Sequence, residues 1–271
     1  MDYVEYGDSN GQPVVYFHGA PGSPEEGAVF DSYAKDHHLR LICFDRFAAD
    51  STLSAEDYYQ QLAQQIKRVL GSQPTAIIGF SIGAQVALEV AKLLATQVRY
   101  THLVSAAAPL DSGDFIDHMA GGAVFKLAKN QPAMFSLLTQ CQVIMARMAP
   151  GLLVRTLFAS ALGGDSALIK QPGFRGSISA VMQQCFRKHA AGYKRGIQDY
   201  VNWVANFDGY SSGVTLWHGT EDNWSPLSMA SVLAEKMPSA ALVQPMQGLS
   251  HYSCLYQAAP HICAQLAELD T

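Results

Sequence analysis

A five-residue turn constrains the fold of this chain more than any other feature of its sequence. Residues 79–83 read GFSIG and directly follow the apolar run at residues 76–78. The end of this turn overlaps the start of a helical apolar pattern at residues 82–94. A serine on a sharp strand-to-helix turn has strained backbone angles, and flanking glycines remove side chains that would collide with neighbouring elements. The sequence therefore predicts a strand, a tight turn and a helix, with Ser81 presented as a nucleophile.

Short apolar runs alternate with helical patterns over the first hundred residues. Ser54 and Asp57 form a predicted N-terminal capping pair for a helix that runs to Leu70. Glycine commonly ends helices, and Gly71 is the predicted end of this one. Repeated units of this kind predict crossover connections in a mainly parallel sheet. The predicted strands of this part span residues 14–17, 40–44, 75–78 and 100–104.

A helix-rich stretch interrupts this alternation between residues 109 and 209. We therefore predict an α/β fold with a doubly wound, mostly parallel sheet, formed by residues 1–108 and 210–271, and a helical cap inserted at residues 109–209. The pattern that resumes after the insertion comprises strands at residues 214–217 and near 241–245, a helix at 226–237 and a final helix from 255 to about 268.

A second turn, at residues 18–22 (HGAPG), ends the first predicted strand in a run that cannot continue as strand or helix. Acyl transfer requires two backbone N–H donors near the oxygen that becomes negative in the tetrahedral intermediate. The N–H groups of Ala20 and Ile82 are the predicted donors of this oxyanion hole. Taken alone, glycine and proline at these positions would indicate an ordinary loop.

Two later loops supply an acid and a histidine. Residues 217–222 (WHGTED) lead from an apolar strand into a glycine turn and two acids, and residues 248–251 (GLSH) follow the last predicted strand. His251 is the predicted base, since an imidazole pKa near 6.5 suits proton transfer at neutral pH. Asp222 is predicted to orient that ring, with Glu221 as the alternative acid.

The order serine, acid, histidine unites these signals. Ser81, Asp222 and His251 each follow a predicted strand, and open parallel sheets place their active sites at the carboxyl ends of strands. We therefore predict a catalytic triad in which a loop carries His251 over Ser81. The remaining histidines are interpreted as surface, packing, cap or turn residues: His18, His37, His38, His102, His118, His189, His218 and His261.

Composition argues against several other classes of protein. Charged residues make up 15% of the chain and the formal charge is -5, which leaves no basic face for nucleic acid. Asp2 and Glu5 stand where a secretory signal would carry basic residues, which predicts a cytoplasmic protein. The most apolar region, residues 141–162, is interrupted by Arg147 and Pro150, so we expect packed amphipathic helices there rather than a membrane span.

The five cysteines are odd in number and contain no C-x-x-C pair. This pattern indicates neither a complete disulfide framework nor a zinc site. Buried, reduced thiols and no bound metal are the expectation.

The HGAPG turn, the GFSIG turn, the WHGTEDNWSP acid loop and the GLSH loop together resemble the α/β-hydrolase family over essentially the whole chain. The resemblance implies a triad of Ser81, Asp222 and His251, an oxyanion hole at Ala20 and Ile82, no cofactor, and a helical cap over the site.

Particular stretches refine this resemblance. Residues 187–207 are similar to the cap exit of bacterial members whose substrates are mostly unassigned. Many members with such a turn have Arg-Pro-Gly after the following strand, whereas residues 45–50 here read DRFAAD. Relatives that hydrolyse epoxides or carbon–halogen bonds have a carboxylate where Ser81 stands, so the serine argues against both reactions.

The expected function is that of a carboxylic ester hydrolase, which cleaves a small ester, thioester or lactone through an acyl-serine intermediate. A lyase or an acyltransferase on the same triad, or a non-catalytic ligand-binding protein, are the alternatives. The expected partner is a small-molecule acyl substrate, with no nucleic acid and no membrane. Ten side chains of the cap either line an apolar pocket for short or medium uncharged acyl chains or pack the cap onto the core: Met119, Met134, Met145, Met148, Met182, Phe125, Phe135, Phe158, Phe174 and Tyr193.

Overall fold

The computed structural model describes residues 2–208, 210–238 and 241–268. The last residue of the predicted cap, 209, and the outermost residues of the predicted core, 1 and 269–271, lie outside the described residues. Seven strands form one sheet. They are β1 (Tyr3–Gly7), β2 (Gln12–Phe17), β3 (Leu39–Phe44), β4 (Thr75–Phe80), β5 (Val98–Val104), β6 (Gly213–Gly219) and β7 (Ala241–Met246).

The strands lie in the order β1-β3-β2-β4-β5-β6-β7, and every neighbouring pair is parallel except β1 with β3. All six predicted strands are present, and the predicted mostly parallel α/β fold is confirmed. The antiparallel edge strand β1 was not predicted. Its residues are exposed or half-buried, so it lacks the continuous apolar run by which the buried strands are recognised.

The described residues form eleven α-helices. They are α1 (Asp31–Asp36), α2 (Ala55–Leu70), α3 (Gly83–Leu94), α4 (Gly122–Asn130), α5 (Pro132–Met148), α6 (Pro150–Leu157), α7 (Gly163–Leu168), α8 (Pro172–Lys188), α9 (Ala190–Val201), α10 (Leu227–Lys236) and α11 (His251–Glu268).

Helices cover both faces of the sheet. Helix α3 packs on β2, β4 and β5 beside α2, while α11 packs on β5 and β6 beside α1. The predicted capping pair begins α2: the N–H of Asp57 donates to Ser54 Oγ over 3.1 Å. Gly71 ends the helix with a φ of 61°, a conformation that favours glycine.

Helices α4 to α9, which we call the intervening helices, connect β5 to β6. The apolar region at residues 141–162 falls within them as two helices, since α5 ends at Met148 and α6 begins at Pro150. This confirms the expected break at Pro150. No helix in the described part of the chain combines the length and apolar character that crossing a bilayer requires.

The expectation of buried thiols is confirmed for Cys43, Cys185, Cys254 and Cys263 and is wrong for Cys141, which is exposed. Cys141 shares one face of α5 with Leu137, Ile144 and Met148, and all three are also exposed. Helical periodicity defines an apolar face but not whether another element covers it.

Candidate active site

The turn after β4 holds Ser81 in a left-handed backbone conformation, with a φ of 56°. A residue with a side chain rarely adopts this conformation, and three backbone hydrogen bonds hold it here. The N–H of Ser81 donates to the Val104 carbonyl over 2.9 Å, and the Ser81 carbonyl accepts from Ala84 and Ala107 at 3.0 and 3.2 Å. The predicted strand, turn and helix therefore meet at Ser81.

The two glycines of this turn allow neighbouring elements to approach closely. A Cβ atom at Gly79 would lie 2.8 Å from the Ala84 Cα, within α3. A Cβ atom at Gly83 would lie 2.2 Å from the Phe17 carbonyl oxygen, at the end of β2. Both distances are too short for any side chain, so glycine at these positions allows the start of α3 to lie against the ends of β2 and β4.

The acid and the histidine are joined by a buried hydrogen bond. His251 Nδ1 lies 2.9 Å from Asp222 Oδ2, and the Asp222 side chain is inaccessible to solvent. The other oxygen, Oδ1, accepts from the N–H groups of Trp224 and Ser225, both at 2.9 Å. Glu221, the alternative acid, is exposed. Asp222 is therefore the acid that contacts His251.

The prediction that His251 lies in a loop is wrong, because His251 is the first residue of α11. The backbone at this helix start is fixed by Asp165 of α7, whose carboxylate oxygens accept from the N–H groups of Tyr252 at 3.1 Å and Ser253 at 2.6 Å. Ser105 Oγ donates to the His251 carbonyl over 3.1 Å. These contacts fix the imidazole on a rigid element.

Opposite charges determine the protonation of this pair. Burial opposes protonation of the His251 ring, but the Asp222 carboxylate and its hydrogen bond outweigh burial and raise the pKa of His251 above 6.5. Burial alone would raise the pKa of Asp222, but the charge and hydrogen bond of His251 hold it below its ordinary value. Burial lowers the pKa of the neighbouring His218, whose Nε2 lies 2.7 Å from the Ser225 carbonyl oxygen.

Ser81 and the histidine pair lie beside one small cavity of about 60 Å³. Ser81 and Trp224 both line it, and the Trp224 indole stacks on the His251 ring with centroids 5.6 Å apart. The ring of Phe80, next to Ser81 in the chain, lies 4.8 Å from the His251 ring. Among the described residues Ser81 Oγ has no hydrogen bond to His251.

Most of the remaining cavity wall is apolar, and much of it comes from the segment between β5 and β6. Of the ten side chains considered for a pocket lining, Met119, Phe125 and Tyr193 line this cavity, while the others pack elsewhere or, like Met134 and Met148, are exposed. The other contributors from this segment are Gly121, Val124, Gln142, Leu157 and Ile197.

The predicted oxyanion donors lie on the same cavity. Ala20 and Ile82 both line it, and the N–H of neither residue donates to an acceptor among the described residues. A Cβ atom at Gly19 would lie 3.3 Å from the Ser81 Cβ. The HGAPG turn therefore packs directly against the serine, and Ala20 and Ile82 both border the cavity beside it.

Sequence reasoning missed four residues that hold this site in place. Asp165 fixes the start of α11, and Trp224 stacks on the imidazole. Glu26 and Arg46, both buried, make hydrogen bonds to the HGAPG turn. Trp224 lies in the acid loop and Arg46 in the stretch at residues 45–50, but neither was assigned a role from the sequence, and Glu26 and Asp165 belong to no local motif. Within the described ranges, no group of three or more His, Cys, Asp or Glu side chains could hold a metal ion.

The chain belongs to the alpha/beta hydrolase family, whose model matches residues 14–266. That match begins within β2 and includes the strands β3 to β7, the Ser81 turn, the intervening helices and most of the His251 helix. The resemblance inferred from the four loops is thus confirmed. A search of curated proteins found no match.

Solved structures share this fold at low sequence identity. An esterase from Thermogutta terrifontis has a TM-score of 0.72 and 17% identity, over 100% of this chain and 94% of its own. A bromoperoxidase from Bacillus anthracis has a TM-score of 0.69 and 16% identity, with coverages of 99% and 95%. An enol-lactonase from Burkholderia xenovorans has a TM-score of 0.68 and 13% identity, with coverages of 98% and 95%.

Removing the Asp165 carboxylate should destabilise the fold through the His251 helix. Asp165→Ala leaves two buried N–H groups without acceptors, and we expect the free energy of unfolding to fall by about 2 kcal/mol. Urea denaturation measures this change. Asp111→Ala, at an exposed acid, is the control and should change stability by less than about 0.5 kcal/mol. Equal stability of the two variants would contradict the capping role.

Proposed function

We propose that this protein is a serine hydrolase that cleaves a small carboxylic ester, thioester or lactone through an acyl enzyme at Ser81. The observation that carries the proposal is the buried hydrogen bond between Asp222 and His251 beside a cavity lined by a strained serine. A binding protein has no need of an imidazole held by an ionised carboxylate at such a serine. The esterase and enol-lactonase among the structural neighbours are compatible with this reaction class.

In the proposed mechanism, His251 Nε2 accepts the proton of the Ser81 hydroxyl as Oγ attacks the acyl carbon. Asp222 holds Nδ1 and stabilises the imidazolium. The N–H groups of Ala20 and Ile82 stabilise the negative oxygen of the tetrahedral intermediate. The imidazolium then protonates the leaving group. Water, activated by the same ring, releases the acid from Ser81.

The proposed substrate has a short, uncharged acyl group. The cavity is small and its wall mostly apolar, with Phe125, Leu157 and Ile197 among its lining residues. A charged acyl group would lose its hydration there without gaining a partner. We propose that the intervening helices form the cap over the site, and that Leu157 limits acyl length.

Fluorophosphonate labelling tests the nucleophile. The probe should modify Ser81, and Ser81→Ala should abolish labelling and lower ester hydrolysis by about 10⁴-fold or more. Ser105 ends the neighbouring strand with a similar backbone conformation, at a φ of 47°. Ser105→Ala is therefore the matched control and should still be labelled at residue 81. Mass spectrometry locates the adduct, and an adduct on any other residue would refute the proposal.

The pH dependence of activity tests the base. Only neutral His251 accepts a proton, so kcat/KM should rise with pH as the ring deprotonates. Because Asp222 raises the pKa of His251, half of the maximal rate should be reached above pH 6.5. Asp222→Asn removes the charge that raises this pKa, and the midpoint should move to lower pH as the rate falls. An unchanged profile in that variant, or a wild-type midpoint below pH 6.5, would contradict the assignment.

Acyl-length preference tests the pocket. Leu157→Ala enlarges the cavity, and we expect the ratio of kcat/KM for p-nitrophenyl octanoate to that for the acetate to rise about tenfold. Leu153→Ala is the control, since Leu153 is buried in the same helix α6 but does not line the cavity. It should lower stability and leave the ratio unchanged. Equal ratios in both variants would show that this cavity does not bind the acyl chain.

A further inference from the structure

Two buried charged side chains hold the backbone of the HGAPG turn. The peptide unit between His18 and Gly19 is bound at both ends. Its carbonyl oxygen accepts from Arg46 Nε over 2.9 Å, and its N–H donates to Glu26 Oε2 over 2.8 Å. The plane of this peptide is thus fixed by a cation on one side and a carboxylate on the other.

The next peptide unit, between Gly19 and Ala20, is bound at one end only. Its carbonyl oxygen accepts from Arg46 Nη2 over 2.8 Å and lies 2.9 Å from His18 Nδ1, while its N–H, which belongs to Ala20, has no acceptor among the described residues. In a trans peptide the N–H and C=O groups point in opposite directions. By holding the carbonyl, Arg46 therefore directs the Ala20 N–H away from itself, and Ala20 lines the cavity that contains Ser81.

The chemistry of the guanidinium suits this task. Arg46 is 0% exposed and Glu26 is 8% exposed, so their hydrogen bonds lie in a medium of low dielectric constant. The planar fork of arginine places two donors on two consecutive carbonyl oxygens, which the single ammonium of lysine does not reproduce. A charged donor on the carbonyl also polarises the amide and makes its N–H a better donor.

The position of Arg46 is itself fixed. Arg195 Nη2 donates to the Arg46 carbonyl over 2.9 Å, and the Arg46 guanidinium lies 4.2 Å from the ring centroid of Phe47. Burial lowers the pKa of Arg46, while the Tyr58 hydroxyl and the Glu26 carboxylate oppose this change. Burying this cation costs free energy, and its guanidinium donates to two carbonyl oxygens of the turn that carries the proposed oxyanion donor.

We propose that Arg46 is a positioning residue for the oxyanion hole: with Glu26, it holds the His18–Ala20 backbone so that the Ala20 N–H points at the oxygen that becomes negative during attack by Ser81. This inference rests on the proposed hydrolase function. It assigns Arg46 no contact with the substrate. Its effect is on the transition state, because the negative oxygen forms only there.

The test compares Arg46→Met, Arg46→Lys and the control His102→Met. His102 is also a buried polar side chain, at 0% exposure, but it accepts a hydrogen bond from Trp217 within the sheet and does not line the cavity. With p-nitrophenyl acetate, Arg46→Met should lower kcat at least tenfold and change KM less than threefold, because loss of one oxyanion donor lowers kcat about 10²–10³-fold. Arg46→Lys should fall between Arg46→Met and the wild type, and His102→Met should keep kcat within threefold.

A transition-state analogue separates positioning from general damage to the fold. A trifluoromethyl ketone adds to a serine hydroxyl and places an oxyanion in the hole, so its inhibition constant should rise in Arg46→Met by the same factor as kcat/KM falls. A purely structural role would lower the amount of folded enzyme without changing this constant. An unchanged inhibition constant, or an equal loss of kcat in His102→Met, would overturn the proposal.

A pair of variants at Glu26 covers the case in which Arg46→Met does not fold. Glu26→Gln keeps an oxygen that accepts from the Gly19 N–H and should retain kcat within threefold, whereas Glu26→Leu removes it and should lower kcat at least tenfold. Equal kcat in the two variants would overturn the inference. Ser81→Ala is measured in parallel. If this variant remains active, the hydrolase proposal itself fails. If Ser81→Ala is inactive while the Arg46 and Glu26 variants are fully active, only the positioning role is refuted.

Discussion

The strained backbone of Ser81 is the constraint on which the rest of the site depends. Its left-handed conformation is held by hydrogen bonds to the end of β5 and to the first turn of α3. These bonds exist only if β4 pairs in register with β5 and α3 packs on the ends of the strands. The absence of side chains at Gly79 and Gly83 allows that packing. The sheet and the serine turn therefore stabilise each other.

Buried charges organise the space around this turn. The Asp222–His251 pair lies on one side, and Arg46 and Glu26 hold the HGAPG turn on the other. The wall between them is mostly apolar. Hydrogen bonds to ions are strong in such surroundings, and an unpaired ion would be costly. Asp222 and His251 are accordingly paired with each other, and Arg46 and Glu26 each hydrogen-bond to the backbone of the turn.

The segment that interrupts the sheet takes part in the site as well. Asp165 of α7 caps the helix that begins with His251, and Phe125 and Leu157 line the cavity beside Ser81. The same helices thus hold the start of the helix that carries the proposed base and form part of the wall of the proposed acyl pocket.

The sequence by itself determined the features that depend on neighbours along the chain. Six strands, the Ser81 turn, the cap of α2 and the break at Pro150 each follow from periodicity, glycine, proline or a capping pair within a few residues. The tertiary structure alone decided which acid contacts His251, that His251 begins α11, and that Cys141 is exposed. It also decided the edge strand β1 and the contacts that Glu26, Arg46 and Asp165 make with distant backbone groups. The reason is physical, because burial and pairing with distant backbone groups set these properties. Asp165, for example, accepts from the N–H of Ser253, which lies 88 positions further along the chain. No local sequence pattern records a contact over such a separation.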